Sequence, residues 1–257
     1  MDLQLKDKVI IVTGGAKGIG KGIVEVLAKE EAIPVIVGRK EADNLATLEE
    51  IGGKGFQLVA ELLDPEASEQ AVKKVVAEFG RVDGLVNNAG VNDSVSLEDG
   101  TYEMFMDSLH KNLIHYYLMA HHCLPHLKKS KGSILNISSK SAETGQGGTS
   151  AYAASNGGRN ALTREWAVEL LKYGIRVNAL VVAECYTPLY ETWINTFPNP
   201  EEKLERIISK IPFGHRMTTA EEIGNMVAFL LSERSSHTTG QIVHVDGGYV
   251  HLDRAIT

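Results

Sequence analysis

Short apolar runs rich in β-branched residues alternate along the chain with longer segments whose apolar positions recur at helical spacing. The run from Val9 to Val12 is apolar at every position, which is typical of a strand covered on both faces of a parallel sheet. Runs of this kind predict seven strands, at residues 9–12, 33–37, 56–60, 82–86, 132–137, 175–182 and 241–245. Helical spacing predicts six helices, at residues 18–29, 41–51, 66–79, 102–128, 151–172 and 220–232. The alternation predicts an α/β fold with one doubly wound parallel sheet of seven strands flanked by helices.

No linker, internal repeat or low-complexity stretch divides the 257 residues, so a single domain is predicted over residues 1–257. The alternation breaks between about residues 185 and 211, where Trp193, Phe197 and three of the seven prolines lie. An irregular aromatic insertion late in an α/β domain predicts a lid over a binding cleft.

The charge balance argues against a nucleic-acid partner, because 26 Lys and Arg stand against 33 Asp and Glu, for a net charge of −7. No apolar run approaches the roughly 20 residues that cross a bilayer, and the first residues lack a basic start, so a cytoplasmic protein without a membrane partner is predicted. Two cysteines, Cys123 and Cys185, are too few for a disulfide framework or a cysteine metal site. No metal site is predicted.

A glycine-rich turn follows the first predicted strand and opens the first predicted helix, with the sequence Thr13-Gly14-Gly15-Ala16-Lys17-Gly18-Ile19-Gly20. Gly14 permits a tight turn, and Gly18 and Gly20 let backbone amides and the helix N-terminus approach a pyrophosphate. A plain βα turn without a ligand is the alternative interpretation. The strand–turn–helix context favours a bound dinucleotide.

The G-x-x-x-G-x-G spacing of this turn resembles the short-chain dehydrogenase/reductase family. The resemblance extends from about Lys6 to Tyr249 and includes Asn87-Asn88-Ala89-Gly90, Asn112, Ser138-Ser139, Tyr152, Arg176-Val177-Asn178 and Asp246-Gly247-Gly248. It implies a Rossmann-type fold, an oxidoreductase that uses NAD or NADP, and a homotetramer whose contacts involve the helices at 102–128 and 151–172. Five histidines in the first of these helices are then expected at a subunit interface or in solvent.

The resemblance also implies residues that bind the dinucleotide beyond the glycine turn. Glu61 and Leu62 are expected beside the adenine, Asn88, Ala89 and Gly90 beside the adenosine ribose, and Cys185 and Thr187 near the nicotinamide. Cys185 is interpreted as a packing residue and not as a nucleophile.

The choice between NAD and NADP depends on the end of the second strand, where a carboxylate would bind the ribose 2′-hydroxyl of NAD. Arg39 and Lys40 stand there instead, and Lys17 lies in the glycine turn. Converging cations favour a 2′-phosphate, so NADP is the preferred cofactor and NAD a possible one. The alternative is that Arg39 and Lys40 are simply solvated at the strand end.

For catalysis, the resemblance implies that Tyr152 is the base, that Ser139 holds the substrate oxygen and that Asn112 orders a proton-relay water. The family also has a lysine four residues after the tyrosine, which favours the ionised phenol and binds the nicotinamide ribose. Asn156 occupies that position here, on the same helix face as Tyr152. Its amide can bond a ribose hydroxyl but carries no charge.

Three interpretations of Asn156 remain open. One is that the position was altered from lysine, which predicts a weakened enzyme whose rate rises when lysine is restored. Another is that a nearby cation, Arg159 or Lys140, substitutes for the lysine. The third is a non-catalytic dinucleotide-binding protein that kept the fold.

The predicted substrate pocket is polar. Tentative substrate-binding residues are Glu143, Gln146, Glu184 and Trp193, together with Asn92, and they favour a small polyhydroxylated molecule. A narrower resemblance to bacterial L-fucose dehydrogenases is carried by Thr163–Ala167, Ala183-Glu184, Thr187–Glu191, Ser209–Pro212, Ser235–Gly240, Val245–Tyr249 and His251–Ala255. It implies oxidation of the C1 hydroxyl of L-fucose or a related aldose to the lactone. Reduction of a 3-oxoacyl thioester or another small ketone is the alternative reaction.

Overall fold

The computed structural model describes residues 1–253, and its centre is a parallel sheet in the order β3-β2-β1-β4-β5-β6-β7. The strands are β1 (Val9–Thr13), β2 (Ile33–Gly38), β3 (Phe56–Val59), β4 (Gly84–Asn87), β5 (Ser133–Ser139), β6 (Arg176–Val182) and β7 (Ile242–Val245). All six neighbouring pairs are parallel. The predicted doubly wound sheet of seven strands is confirmed.

Helices connect consecutive strands and cover both faces of the sheet. They are α1 (Gly18–Lys29), α2 (Glu41–Glu50), α3 (Pro65–Phe79), α4 (Tyr102–Leu109), α5 (His115–Ser130), α6 (Ser150–Leu170), α7 (Pro188–Ile194), α8 (Pro200–Ile208) and α9 (Ala220–Leu231). All six predicted helical stretches are present. Arg254 and Ala255, which end the last segment of the narrower resemblance, lie outside the described residues.

The period of two along each strand divides the core into two layers. Val9 and Ile11 pack with α3, α5 and α6 on one face of the sheet. Ile10 and Val12 pack with α1 and α9 on the other face. Because both faces are covered, Val9 to Val12 are all buried and apolar, which explains the continuous apolar run in the sequence; the strand ends at the buried Thr13.

The structure divides the helix predicted at 102–128 into two. A π-helical segment, His110–Ile114, separates α4 from α5 and contains the buried Asn112. The Asn112 Nδ2 donates to the carbonyl of Ser108 at 3.0 Å, and its Oδ1 accepts from the amide of Val91 at 2.8 Å. The π-helical turn covers only five residues inside a much longer helical pattern, so the pattern alone did not reveal it.

The segment predicted as a lid contains two short helices, α7 and α8, in place of an irregular loop. Thr187 caps α7 by accepting from the amide of Tyr190 at 3.2 Å, and Pro188 is its first residue. Within residues 1–253, no helix is both long enough and apolar enough to cross a membrane.

The contact between α1 and α9 requires glycine at position 22. A Cβ on Gly22 would lie 2.7 Å from the carbonyl carbon of Ala220. We expect Gly22→Ala to lower the free energy of unfolding by about 1–3 kcal/mol, because the helices must separate to admit the methyl group. Urea denaturation measures this change.

Gly157→Ala in α6 is the matched control, because no described atom beyond the adjoining residues and backbone of its own helix lies within 4 Å of the added Cβ. That variant should gain about 0.5–1 kcal/mol from helix propensity. Equal stability of the two variants would contradict the close packing of α1 on α9.

Candidate active site

A cleft of about 810 Å³ opens at the carboxyl ends of the strands, where the sheet order reverses between β1 and β4. Helices that follow these two strands leave on opposite faces, so the strand ends are uncovered and a ligand can enter there. Of the residues predicted to bind the cofactor, those that line the cleft are Gly14, Lys17, Gly18, Ile19, Gly20, Arg39, Glu61, Leu62, Asn88, Ala89, Gly90, Tyr152 and Thr187.

The glycine turn is held against the end of β4. Gly14 has a φ of +65°, and its amide donates to the carbonyl of Val37 at 2.8 Å. Asn88 donates its Nδ2 to the carbonyl of Thr13 at 2.8 Å. No side chain caps the N-terminus of α1, so its first amides remain available to an anion in the cleft.

The cations predicted to select the nucleotide are exposed and lie beside carboxylates. Lys17 pairs with Asp43 at 2.8 Å, and Arg39 lies 3.8 Å from Glu61. Lys40 directly precedes α2 and lies outside the lining of the cleft. A 2′-phosphate would therefore have to displace or share these carboxylate contacts.

Three elements bring the predicted catalytic side chains to one end of the cleft. Ser139 ends β5, Tyr152 lies in the first turn of α6, and both line the cleft. Asn112 lies fully buried directly behind Val91, a lining residue to whose amide its side chain bonds. The Ser139 Oγ accepts from the amide of Ser141 at 3.3 Å, which leaves its own proton free to be donated.

Asn156 is fully buried, and its amide is used inside the protein. Its Nδ2 donates to the carbonyl of Tyr152 at 2.8 Å and to the Ser141 Oγ at 3.4 Å. Its Oδ1 accepts from the Arg159 Nη1 at 2.9 Å. Asn156 does not line the cleft. The predicted bond to a cofactor ribose is thus not prepared in this structure, and it stays a prediction.

Arg159 is a buried cation in the lining of the cleft and is only 3% exposed. Its Nε donates to the carbonyl of Asn112 at 2.7 Å, and its Nη1 also donates to the carbonyl of Ile137 at 3.1 Å. The guanidinium stacks over the ring of Tyr116, 4.2 Å from the centroid. The sequence signal for this arrangement is the spacing of three residues between Asn156 and Arg159.

Two aromatic side chains of α5 lie beside this guanidinium. Burial raises the pKa of Tyr116 to about 12, and its hydroxyl donates to the carbonyl of Ile137 at 3.0 Å. Burial and the charge of Arg159 lower the pKa of His115 to about 4. The neutral His115 lines the cleft and donates its Nε2 proton to the carbonyl of Lys111 at 3.0 Å, while its Nδ1 has no partner among the described residues.

The four tentative substrate residues lie outside the cleft lining. Glu184 is buried in an ion pair with Lys140, and Glu143 bonds to His244 at 3.1 Å. Trp193 packs edge-on against Tyr190 and Phe197, and Gln146 is exposed on its loop. The side chains at this end come instead from Asn92, as expected, and from Leu189 and Thr192 of α7. Sequence spacing could not show which side chains would form ion pairs or hydrogen bonds with these charged groups.

Cys185 is buried beside Thr218, and burial raises the pKa of its thiol to about 11, so the thiol stays protonated near neutral pH.

Glu143, His244 and His251 offer three possible metal ligand atoms within 4.8 Å of one another. These residues come from distant parts of the chain and formed no motif in the sequence.

Burial of neutral His115 makes a pH-dependent contribution to stability. Its pKa is about 4 in the folded chain, against 6.5 for a histidine exposed to water, so the folded state resists protonation. The contribution is complete above pH 6.5 and is lost as the pH falls through about 4. We expect up to about 3 kcal/mol of stability to be lost over this range.

Urea denaturation at a series of pH values measures this loss, and His115→Gln is the comparison because it cannot titrate. The difference in stability between the two proteins should narrow as the pH falls from 6.5 to 4. A constant difference would show that His115 is not held neutral by the fold.

Comparison with known proteins finds a match to the family described as Enoyl-(Acyl carrier protein) reductase over residues 14–250. The chain is 36% identical to 3-oxoacyl-(acyl-carrier-protein) reductase FabG of Thermotoga maritima, over 96% of this chain and 100% of that protein. It is 34% identical to L-fucose dehydrogenase of Bos taurus, over 96% of this chain and 91% of that protein.

Solved structures resemble the whole chain. The Cj0485 dehydrogenase is 49% identical with a TM-score of 0.95, over 99% of this chain and 98% of that one. The aldohexose dehydrogenase of Thermoplasma acidophilum is 27% identical with a TM-score of 0.89, over 98% of both chains. The 3-ketoacyl-(acyl-carrier-protein) reductase of Brucella melitensis, complexed with NADH, is 31% identical with a TM-score of 0.87, over 96% of this chain and 100% of that one.

Proposed function

The chain belongs to the short-chain dehydrogenase/reductase family, and on that premise we propose that it oxidises the C1 hydroxyl of L-fucose or a related aldose to the lactone. Family membership makes it a nicotinamide-dependent oxidoreductase. The sugar and the preference for NADP are the parts that we propose. The resemblance to bacterial L-fucose dehydrogenases also stays a prediction, since the relative of that name reported above is mammalian.

The observation that carries the proposal is the position of Ser139 and Tyr152 on the wall of the same cleft that begins at the glycine turn. The uncapped N-terminus of α1 fits a pyrophosphate. Gly18 also fits, because a Cβ there would lie 3.1 Å from Thr187 and narrow the entrance to the cleft. The chain's own residues thus fit a dinucleotide that reaches from the turn towards Tyr152.

Ser139 and Tyr152, at the inner end of the cleft, have separate roles in the proposed reaction. A nicotinamide bound in this cleft would supply the acceptor for the hydride from C1 of the sugar. The Ser139 hydroxyl donates a hydrogen bond to the substrate oxygen and holds that oxygen beside Tyr152. The ionised phenol of Tyr152 takes the C1 hydroxyl proton. Loss of the proton and the hydride converts the C1 carbon to the lactone carbonyl.

An aldose is favoured over an acyl thioester by two polar side chains of the cleft and by two of the relatives. Asn92 and Thr192 line the cleft. Aldoses are named for two of the proteins compared above. Reduction of a 3-oxoacyl thioester is the second candidate, because FabG covers the same length at 36% identity.

Steady-state assays separate these two reactions. With NADP and NAD, we expect oxidation of L-fucose with a kcat/KM above that for L-galactose, which differs only by a hydroxyl at C6. Tyr152→Phe should lower kcat on the order of a thousandfold, because the phenol oxygen takes the proton. Dinucleotide binding, measured by fluorescence, should persist in that variant.

Reduction of a 3-oxoacyl thioester without oxidation of any aldose would overturn the proposed substrate. Dinucleotide binding without turnover of either class would favour the non-catalytic alternative.

We also propose that NADP is preferred, because Lys17 and Arg39 line the cleft at the adenosine end. Arg39→Asp should reverse the preference, since a carboxylate repels a 2′-phosphate and accepts from a 2′-hydroxyl. The ratio of kcat/KM with NADP to kcat/KM with NAD measures the change, and Lys40→Asp, outside the lining, is the matched control. An unchanged ratio in the Arg39 variant would remove Arg39 from the phosphate site.

A further inference from the structure

We infer that Arg159, held by Asn156, supplies the positive charge that favours ionised Tyr152, the role that the family assigns to the missing lysine. This role rests on the proposed function, because it takes Tyr152 as the base. Arg159 and Asn156 are then a pair of positioning residues.

The buried charge of Arg159 is surrounded by neutral hydrogen-bond acceptors. Its side chain is 3% exposed, and it forms no ion pair within residues 1–253. Its hydrogen bonds go to carbonyl and amide oxygens of Asn112, Ile137 and Asn156. A buried cation without an acidic partner is costly, so the site gains free energy when an anion forms nearby. The phenolate of Tyr152, which lines the same cleft, is the anion that the reaction requires.

Asn156 connects the cation to the tyrosine. One side of its amide bonds the backbone of Tyr152, and the other side accepts from the Arg159 guanidinium at 2.9 Å. The two neighbours of Asn156 are thereby fixed on one face of α6. Tyr116 lies close to both Arg159 and Tyr152. Burial has the largest effect on the pKa of Tyr116, the charge of Arg159 lowers that pKa, and the charge of Tyr152 raises it.

The surroundings of Arg159 make room for its side chain. A Cβ on Gly90 would lie 2.9 Å from the Arg159 Nη2, so the glycine admits the guanidinium. The other titratable groups beside it are Tyr116 and His115, and Lys111 lines the same cleft. Both aromatic groups are neutral near pH 7, since the pKa of Tyr116 is about 12 and that of His115 about 4.

The contact between Asn156 and Arg159 changes the expectation for lysine at position 156. Lysine there would bring an ammonium group against the guanidinium that Asn156 now accepts from at 2.9 Å. Two buried like charges repel, so restoring lysine alone should impair the enzyme. The structure therefore favours the interpretation in which a nearby cation substitutes for the lysine. It does not favour the interpretation in which position 156 alone was altered from lysine.

A cycle of four proteins tests the inference: the native pair, Arg159→Leu, Asn156→Lys and the double variant. For each, kcat/KM for the aldose is measured from pH 6 to pH 10. We expect Arg159→Leu to lose on the order of a hundredfold near pH 7 and to recover as the pH rises. Asn156→Lys alone should also lose activity, and the double variant should regain it with a pH profile near that of the native protein.

A merely structural role for Arg159 predicts a different result, a loss that is the same at every pH. Arg159→Lys and Arg159→Gln distinguish the two roles without emptying the site, because both side chains can donate hydrogen bonds but only lysine is charged. We expect Arg159→Lys to retain the pH profile of kcat/KM and Arg159→Gln to shift that profile to higher pH. An equal effect of both, or an unshifted profile in Arg159→Leu, would overturn the inference.

A titration without substrate separates this inference from the proposed function. The ultraviolet absorbance of tyrosinate, taken as the difference from the same protein with Tyr152→Phe, follows residue 152 alone. The phenolate should form at lower pH in the native protein than in Arg159→Gln, whichever sugar or ketone is the substrate. Identical titrations would overturn the inference even if L-fucose is oxidised. A failure to oxidise any aldose, with the titration shifted as expected, would overturn only the substrate.

Discussion

The guanidinium of Arg159 joins the three elements that meet at the inner end of the cleft. Its hydrogen bonds reach Asn112 in the π-helical segment, Ile137 in β5 and Asn156 in α6. A planar group with five donors in a fixed arrangement can hold three acceptors in one geometry. Asn156 in turn donates its Nδ2 to the backbone carbonyl of Tyr152, so these contacts connect the guanidinium to the first turn of α6.

The place of the site follows from the order of the strands. The chain turns from β1 towards β2 and β3, and then returns to the other side of β1 with β4. The glycine turn begins one residue after β1, Asn88 directly follows β4, and Ser139 is the last residue of the neighbouring β5. The predicted catalytic groups therefore come from distant parts of the sequence but lie near one edge of the sheet.

Much of the fold could be predicted because its signals are local. The apolar run at residues 9–12 reflects burial on both faces, and the glycine turn reflects a conformation that few other residues adopt, with φ of +65° at Gly14. The partners of charged side chains were not predictable in this way. Glu184 and Glu143 were expected to face substrate, but Lys140 and His244 bind them, and these contacts join segments that are far apart in sequence.

The sequence by itself determined the strand and helix order, the family resemblance and the absence of the usual lysine at position 156. Only the tertiary structure placed the Arg159 guanidinium against that position. The Arg159 side chain reaches the carbonyl of Asn112, which lies in the π-helical turn. This contact depends on how α5, α6 and β5 pack against each other. Apolar periodicity records which face of a helix is buried, but it does not record which buried polar groups find each other.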